Sequence, residues 1–98
     1  MIVCISNWNF PDSKHGRYYN DYSDAMEAVA ESQGVYYIAA CDPNVSGVDM
    51  TNSVFRSRYC IKSTDVSHLN KDGMRLVMPY FEKALAKCYT DFLKKADA

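Results

Sequence analysis

Apolar residues along this chain fall first into two short unbroken runs and then into helical stripes. Ile2-Val3-Cys4-Ile5-Ser6 and Val35-Tyr36-Tyr37-Ile38-Ala39-Ala40 carry no charge and are rich in β-branched and aromatic residues. That pattern predicts strands buried on both faces of a parallel sheet. Between them, from about Arg17 to Gln33, residues Tyr18, Tyr22, Met26, Val29 and Ala30 recur at steps of four, four, three and one. Such spacing predicts an amphipathic helix with one apolar stripe. Gly34 closes it, since glycine takes the left-handed backbone after a helix without strain. Strand, helix and strand in succession predict a βαβ unit with parallel strands and a right-handed crossover. A first strand this apolar is unusual at a sheet edge, so further sheet partners are expected from elsewhere.

Polar segments separate these elements. Asn7 to Gly16 and Cys41 to Ser53 are rich in Asn, Asp, Pro, Ser and Gly and read as loops leaving the carboxyl ends of the two strands. Val54 to Ile61 alternates imperfectly and is compatible with a strand, an extended loop or a helical turn. Asn70 is placed to cap a helix starting at Lys71, with Asp72 favourable at the positive end of its dipole. Its apolar stripe is Leu76, Val77, Tyr80, Phe81, Leu85, Cys88, Tyr89 and Phe92, expected to pack on the sheet, while Lys83, Lys87, Lys94 and Lys95 face water. Pro79 removes a backbone donor within that helix and is expected to kink it or reset its first turns.

Composition narrows the function classes. The chain has 98 residues, 48% hydrophobic and 23% charged, which fits one globular α/β domain and neither a disordered nor a membrane-embedded chain. With 11 basic and 12 acidic residues the net charge is −1, so no field favours nucleic acid. Basic residues cluster only at Arg56 with Arg58 and at Lys94 with Lys95. The apolar run at Met1 is too short for a membrane span and lacks the form of a signal peptide, leaving a cytoplasmic location as the default expectation. Cys4, Cys41, Cys60 and Cys88 show no paired spacing and read as reduced, buried thiols. Only His15 and His68 are present, far apart, so neither a metal site nor any other cofactor is expected.

The segment Asp65-Val66-Ser67-His68-Leu69-Asn70, followed by Lys71-Asp72-Gly73, carries the candidate chemistry. On the residues alone, His68 reads as a loop histidine at the head of a helix and Asp65 as a turn residue. Their spacing also lets the carboxylate accept the imidazole Nδ1–H, freeing Nε2 to take a proton from a nucleophile. With Leu69, Asn70 and Gly73 behind it, a βαβ unit before it and a terminal helix after it, the segment resembles the last conserved block of the SGNH/GDSL hydrolases. The resemblance implies a partial three-layer α/β/α, flavodoxin-like domain over residues 1–98, corresponding to the C-terminal part of a family domain. It further implies a serine esterase acting on carboxylic esters, including sugar O-acetyl groups, with His68 as base then acid and Asp65 orienting it. The family's Gly-Asp-Ser nucleophile turn, oxyanion-hole glycine and Gly-x-Asn-Asp segment are missing. Ser46 precedes Gly47, and Asn20-Asp21 falls in the expected helix. A complementing segment or a second copy is therefore the expected partner, and the alternative is a non-catalytic module docking through its open sheet edge.

Other residues are weaker candidates. Asn7, Trp8 and Asn9 lie at a strand's carboxyl end, where α/β sheets bind ligands, and are candidates to line the substrate, Asn7 and Trp8 first; Trp8 reads equally as packing beneath the loop. His15 is expected to be solvated and Asp42 to cap a turn. Tyr18, Tyr19, Tyr22, Tyr36 and Tyr37 are expected to be core or interface residues.

Overall fold

A computed structural model describes residues 1–11 and 15–97. Its elements are β1 (Val3–Ile5), α1 (Tyr19–Ser32), β2 (Tyr36–Ile38), α2 (Pro43–Ser46), α3 (Ser53–Tyr59) and α4 (Lys71–Ala96). The fold is mixed α/β, with a two-stranded parallel sheet and, among the described residues, four helices. Part of the loop expected over Asn7 to Gly16, residues 12–14, lies outside the described residues. The molecule is an elongated slab of 48 × 32 × 16 Å. Its radius of gyration, 14.7 Å, exceeds the roughly 13 Å of a compact 100-residue domain.

The βαβ unit forms as its pattern predicts. β1 and β2 pair in parallel with Val3 opposite Tyr36, Cys4 opposite Tyr37 and Ile5 opposite Ile38. Gly34 takes a φ of 66° just beyond the helix. The buried face of α1 differs from the expected one. Tyr19, Ser23, Met26 and Ala30 turn inward, while Tyr18, Tyr22 and Val29 are exposed. The helix is rotated by about one residue from its most apolar stripe, because Ser23 bonds the Tyr37 hydroxyl on β2. Tyr18 and Tyr22 are thus not core residues.

Two further expectations are corrected. β1 is not buried on both faces: Ile2 and Ile5 are exposed, because β1 borders only β2 and nothing among the described residues covers its outer edge. The Cys41 to Ser53 segment is not all loop; Asp42 caps the single turn α2 by accepting from the Asn44 N–H at 2.9 Å, and Pro43 sits at its start. The open assignment over Val54 to Ile61 resolves as α3, capped by Asn52, whose side chain accepts from Val54 and Phe55. α4 runs through Pro79 without ending or resetting. Proline there removes only the donor that the Arg75 carbonyl would have received, and that part of the helix is exposed to water.

The core lies away from the sheet. Val48, Met50, Cys60, Leu69 and Val77 form the buried cluster, with Trp8, Phe55, Val66 and Phe81 packed against it. Two strands of three residues cannot supply such a core, so α4 packs mainly on α2 and α3 and meets the sheet through Tyr36, whose hydroxyl donates to Asp91 at 2.7 Å. Gly73, Val77, Phe81, Ala84 and Cys88 turn inward, whereas Tyr80, Leu85, Tyr89, Phe92 and Leu93 stay exposed. Buried Cys41 and Cys60 and half-buried Cys4 and Cys88 are all free thiols. Burial pushes the Cys60 thiol pKa up, which suits a packing role.

Candidate active site

A short connection from α3 to α4 carries Asp65 and His68. At its base Cys60 and Leu69 form an antiparallel bridge. The Ile61 N–H donates to the His68 carbonyl and the Asn70 N–H to the Tyr59 carbonyl, at 3.1 and 2.7 Å. Asn70 closes the base with its whole side chain. Its Oδ1 accepts from the Gly73 N–H at 2.9 Å, capping α4, and its Nδ2 donates to the carbonyls of Arg58 and Cys60. From the side, Arg56 donates to the Ser63 carbonyl through Nε and to the Met50 carbonyl through Nη1. From above, Trp8 Nε1–H donates to the Ser67 carbonyl at 3.2 Å, a bond reaching across 59 positions.

Within this frame the Asp–His pair takes the expected geometry. Asp65 Oδ1 accepts the Ser67 and His68 N–H groups at 2.7 and 3.1 Å, a turn that fixes the carboxylate. Its Oδ2 lies 2.9 Å from His68 Nδ1. The imidazole is 70% exposed and the Asp65 side chain 22%, so the ring projects while its partner is half sheltered. Nε2 of His68 has no hydrogen bond among the described residues. Hydrogen bonding by the Ser67 N–H, then by the His68 backbone and ring, holds the Asp65 carboxyl below the usual carboxylate range. In the neutral imidazole, a carboxylate on Nδ1 directs the ring proton to that nitrogen and leaves Nε2 as the acceptor.

The candidate substrate residues meet this loop. Asn7, Trp8, Ser6, Phe10, Val66 and Ser67 line a cleft of about 630 Å³, so Asn7 and Trp8 share a wall with the residues between Asp65 and His68. Trp8 lines the cleft, and its ring meets Phe81 edge-on at 6.1 Å. Asn7 donates to the Trp8 and Tyr19 carbonyls, and its Oδ1 is buried without a partner among the described residues. His15 lies apart, exposed, with a left-handed φ of 55°.

Sequence reasoning overlooked three supports. Asn9 is buried and joins the loops that follow β1 and β2, donating to Asp49 at 2.9 Å and accepting from the Met50 N–H at 2.7 Å. Arg56 read only as half of a short basic cluster with Arg58. The donating half of Asn70 was hidden behind its capping half. A polar residue flanking a lone tryptophan, as in Asn7-Trp8-Asn9, was the one available signal for Asn9.

Three carboxylates tie the fold to pH. Asp49 is lowered first by the Thr51 hydroxyl, and Asp91 first by the Tyr36 hydroxyl, as Asp65 is by Ser67. Because each folded value lies below the unfolded one, their stabilisation is full above the ordinary Asp pKa of about 3.9 and is lost as pH falls through the lowered values. Urea unfolding midpoints are expected to hold from pH 7 to about 5 and to drop below about 4, with a smaller drop in the Asp49→Asn/Asp65→Asn variant. An equal drop in that variant would place the acid sensitivity elsewhere.

Among the described residues no group of three or more His, Cys, Asp or Glu is arranged to hold a metal ion, and no helix is long and apolar enough to cross a membrane. No family model, curated protein or solved structure matches this chain.

Proposed function

We propose that this chain supplies the acid–base half of a serine esterase, with His68 as the proton carrier and Asp65 as the group that orients it. The observation that carries the proposal is the Asp65 carboxylate on His68 Nδ1 with Nε2 free, beside a cleft lined by Asn7, Trp8, Val66 and Ser67. In this reading Nε2 takes the proton of a serine hydroxyl as it attacks an ester carbonyl, then delivers it to the departing alcohol. The serine and the oxyanion donors come from a segment outside the described residues or from another chain. The ester, a small molecule or an acetylated glycan, lies in the cleft against Trp8.

The finer architecture proposed with it is the C-terminal part of a three-layer α/β/α sheet. The parallel pairing of β1 with β2, the open edge of β1 and the exposed Ile2 and Ile5 support strands continuing beyond β1. The same exposed edge favours a second reading, a non-catalytic module that self-associates or docks there. Mixing the chain with a segment bearing a Gly-Asp-Ser turn and following p-nitrophenyl acetate separates the two. The esterase reading expects turnover only in the mixture. A stable oligomer of this chain alone, with no turnover in any mixture, would leave the module.

A further inference from the structure

β2 has two edges, and β1 occupies one. A groove of about 550 Å³ touches Tyr36, Tyr37, Ile38 and Ala39 in succession, together with Glu27 on α1 and Lys83 and Lys87 on α4. Consecutive strand residues point to opposite faces of a sheet. A cavity touched by all four, and by helices on both faces, therefore runs along the strand's edge. No residue of β1 lines it, so this is the outer edge.

That edge has open hydrogen-bonding groups. The Tyr36 N–H donates to Ile2 and the Ile38 carbonyl accepts from Ser6, each at 3.0 Å. In a parallel ladder both groups of one residue face the same neighbour and those of the next residue face away. Tyr36 and Ile38 thus face β1, and the N–H and carbonyl of Tyr37 face the groove. The flanking side chains are pinned out of the way. Tyr37 reaches Ser23 on α1 through its hydroxyl, and Tyr36 reaches Asp91 on α4, where Lys95 also sits 5.7 Å from the Tyr36 ring. The bond to Asp91 pushes the Tyr36 hydroxyl pKa up to about 12, so the pin persists through the neutral range.

The α4 wall is charged in register with an extended chain. Asp91 is engaged by Tyr36 and Lys95, whereas Lys83 and Lys87 pair with no carboxylate among the described residues. β2 and α4 run in opposite directions, since Tyr36 meets Asp91 while Gly47, beyond the strand's carboxyl end, abuts Tyr80. Lys83 and Lys87 are one turn apart, about 6 Å along the helix. Side chains on one side of an extended peptide repeat every 6 to 7 Å or so. A two-fold pairing of β2 with the β2 of a second copy, about an axis normal to the sheet, would instead bring each copy's Lys83 and Lys87 toward the same lysines of the other.

We propose that the groove along β2 binds an extended peptide as a third strand, with acidic side chains at alternating positions facing Lys83 and Lys87. Backbone bonds to Tyr37 give affinity, and the lysines set the register. The test is a two-dimensional NMR titration of the full chain with a blocked hexapeptide alternating glutamate and valine. Saturable binding at millimolar peptide or below is expected, with the Tyr37 and Ala39 amides shifted and the Tyr37 amide slowed in exchange. Lys83→Glu with Lys87→Glu is expected to weaken binding roughly tenfold, and a peptide with lysine in place of glutamate is expected not to saturate. No saturation, shifts centred on β1 or the exposed face of α4, or equal affinity for both peptides overturns the proposal. Concentration-dependent shifts at Tyr37 without peptide would assign the edge to a second copy and overturn it equally.

Discussion

Asp65→Asn is expected to lower the kcat of a complemented esterase by about 10⁴, and His68→Ala by about 10⁶. The two substitutions test different links. Removing the imidazole removes the only candidate base on the loop. Replacing the carboxylate by an amide retains the frame, because the amide oxygen still accepts from the Ser67 and His68 N–H groups as Oδ1 does. The change falls on the other atom. An amide NH₂ in place of Oδ2, 2.9 Å from Nδ1, makes Nδ1 the acceptor and moves the ring proton to Nε2, the wrong tautomer for a base. KM is expected to stay within a few-fold, since neither side chain is among the cleft-lining residues. Full activity in either variant would mean that the pair is a turn motif and nothing more.

Gly73→Ala is expected to destabilise the chain by about 3 kcal/mol, a drop of roughly 12 to 24 °C in Tm for a chain of this size. A methyl group at this position would collide with the Tyr59 carbonyl oxygen and come within 3.0 Å of Leu69 Cβ. The first obstacle is backbone, so it cannot rotate away as a side chain would. Alanine is the better helix former by about 1 kcal/mol, and that gain is set against the overlap. Relief requires the first turn of α4 to move off Tyr59, which breaks the Asn70 N–H bond to Tyr59 and strains the Asn70 cap. Lys71→Ala, on the exposed side of the same turn, serves as the control and is expected to be nearly neutral. Equal melting temperatures for Gly73→Ala and the control would refute the argument.

The motif that stood out in the sequence thus has a physical reading for each of its later members. Leu69 enters the core, Asn70 caps α4 and ties down Arg58 and Cys60, and Gly73 lets the helix approach Tyr59. Of these the Asn70 cap was legible, because caps, turns and helical periods act over three or four residues, whereas the ties to Arg58, Cys60 and Tyr59 reach across ten or more. The βαβ order, the start of α4 at Lys71 and the contact between Asp65 and His68 belong to the same class. The misread features depend on distant partners. The rotation of α1 is set by Tyr37, and the exposure of Ile5 by the lack, among the described residues, of a second neighbour beside β1. The roles of Asn9 and Arg56 are set by Asp49, Met50 and Ser63. No pattern within one segment encodes such pairings.

The bond from Trp8 to the Ser67 carbonyl has a kinetic side. Closing a loop of 59 positions carries an entropic cost that grows with the logarithm of its length, whereas the turn joining Asp65 to His68 closes over three. The turn is therefore expected to assemble in the time of a local fluctuation and the tryptophan contact to close later. Until that contact closes, the Asp–His pair has no cleft beside it. Indole fluorescence, reported by the chain's single tryptophan, therefore tracks the completion of the cleft rather than the birth of the pair.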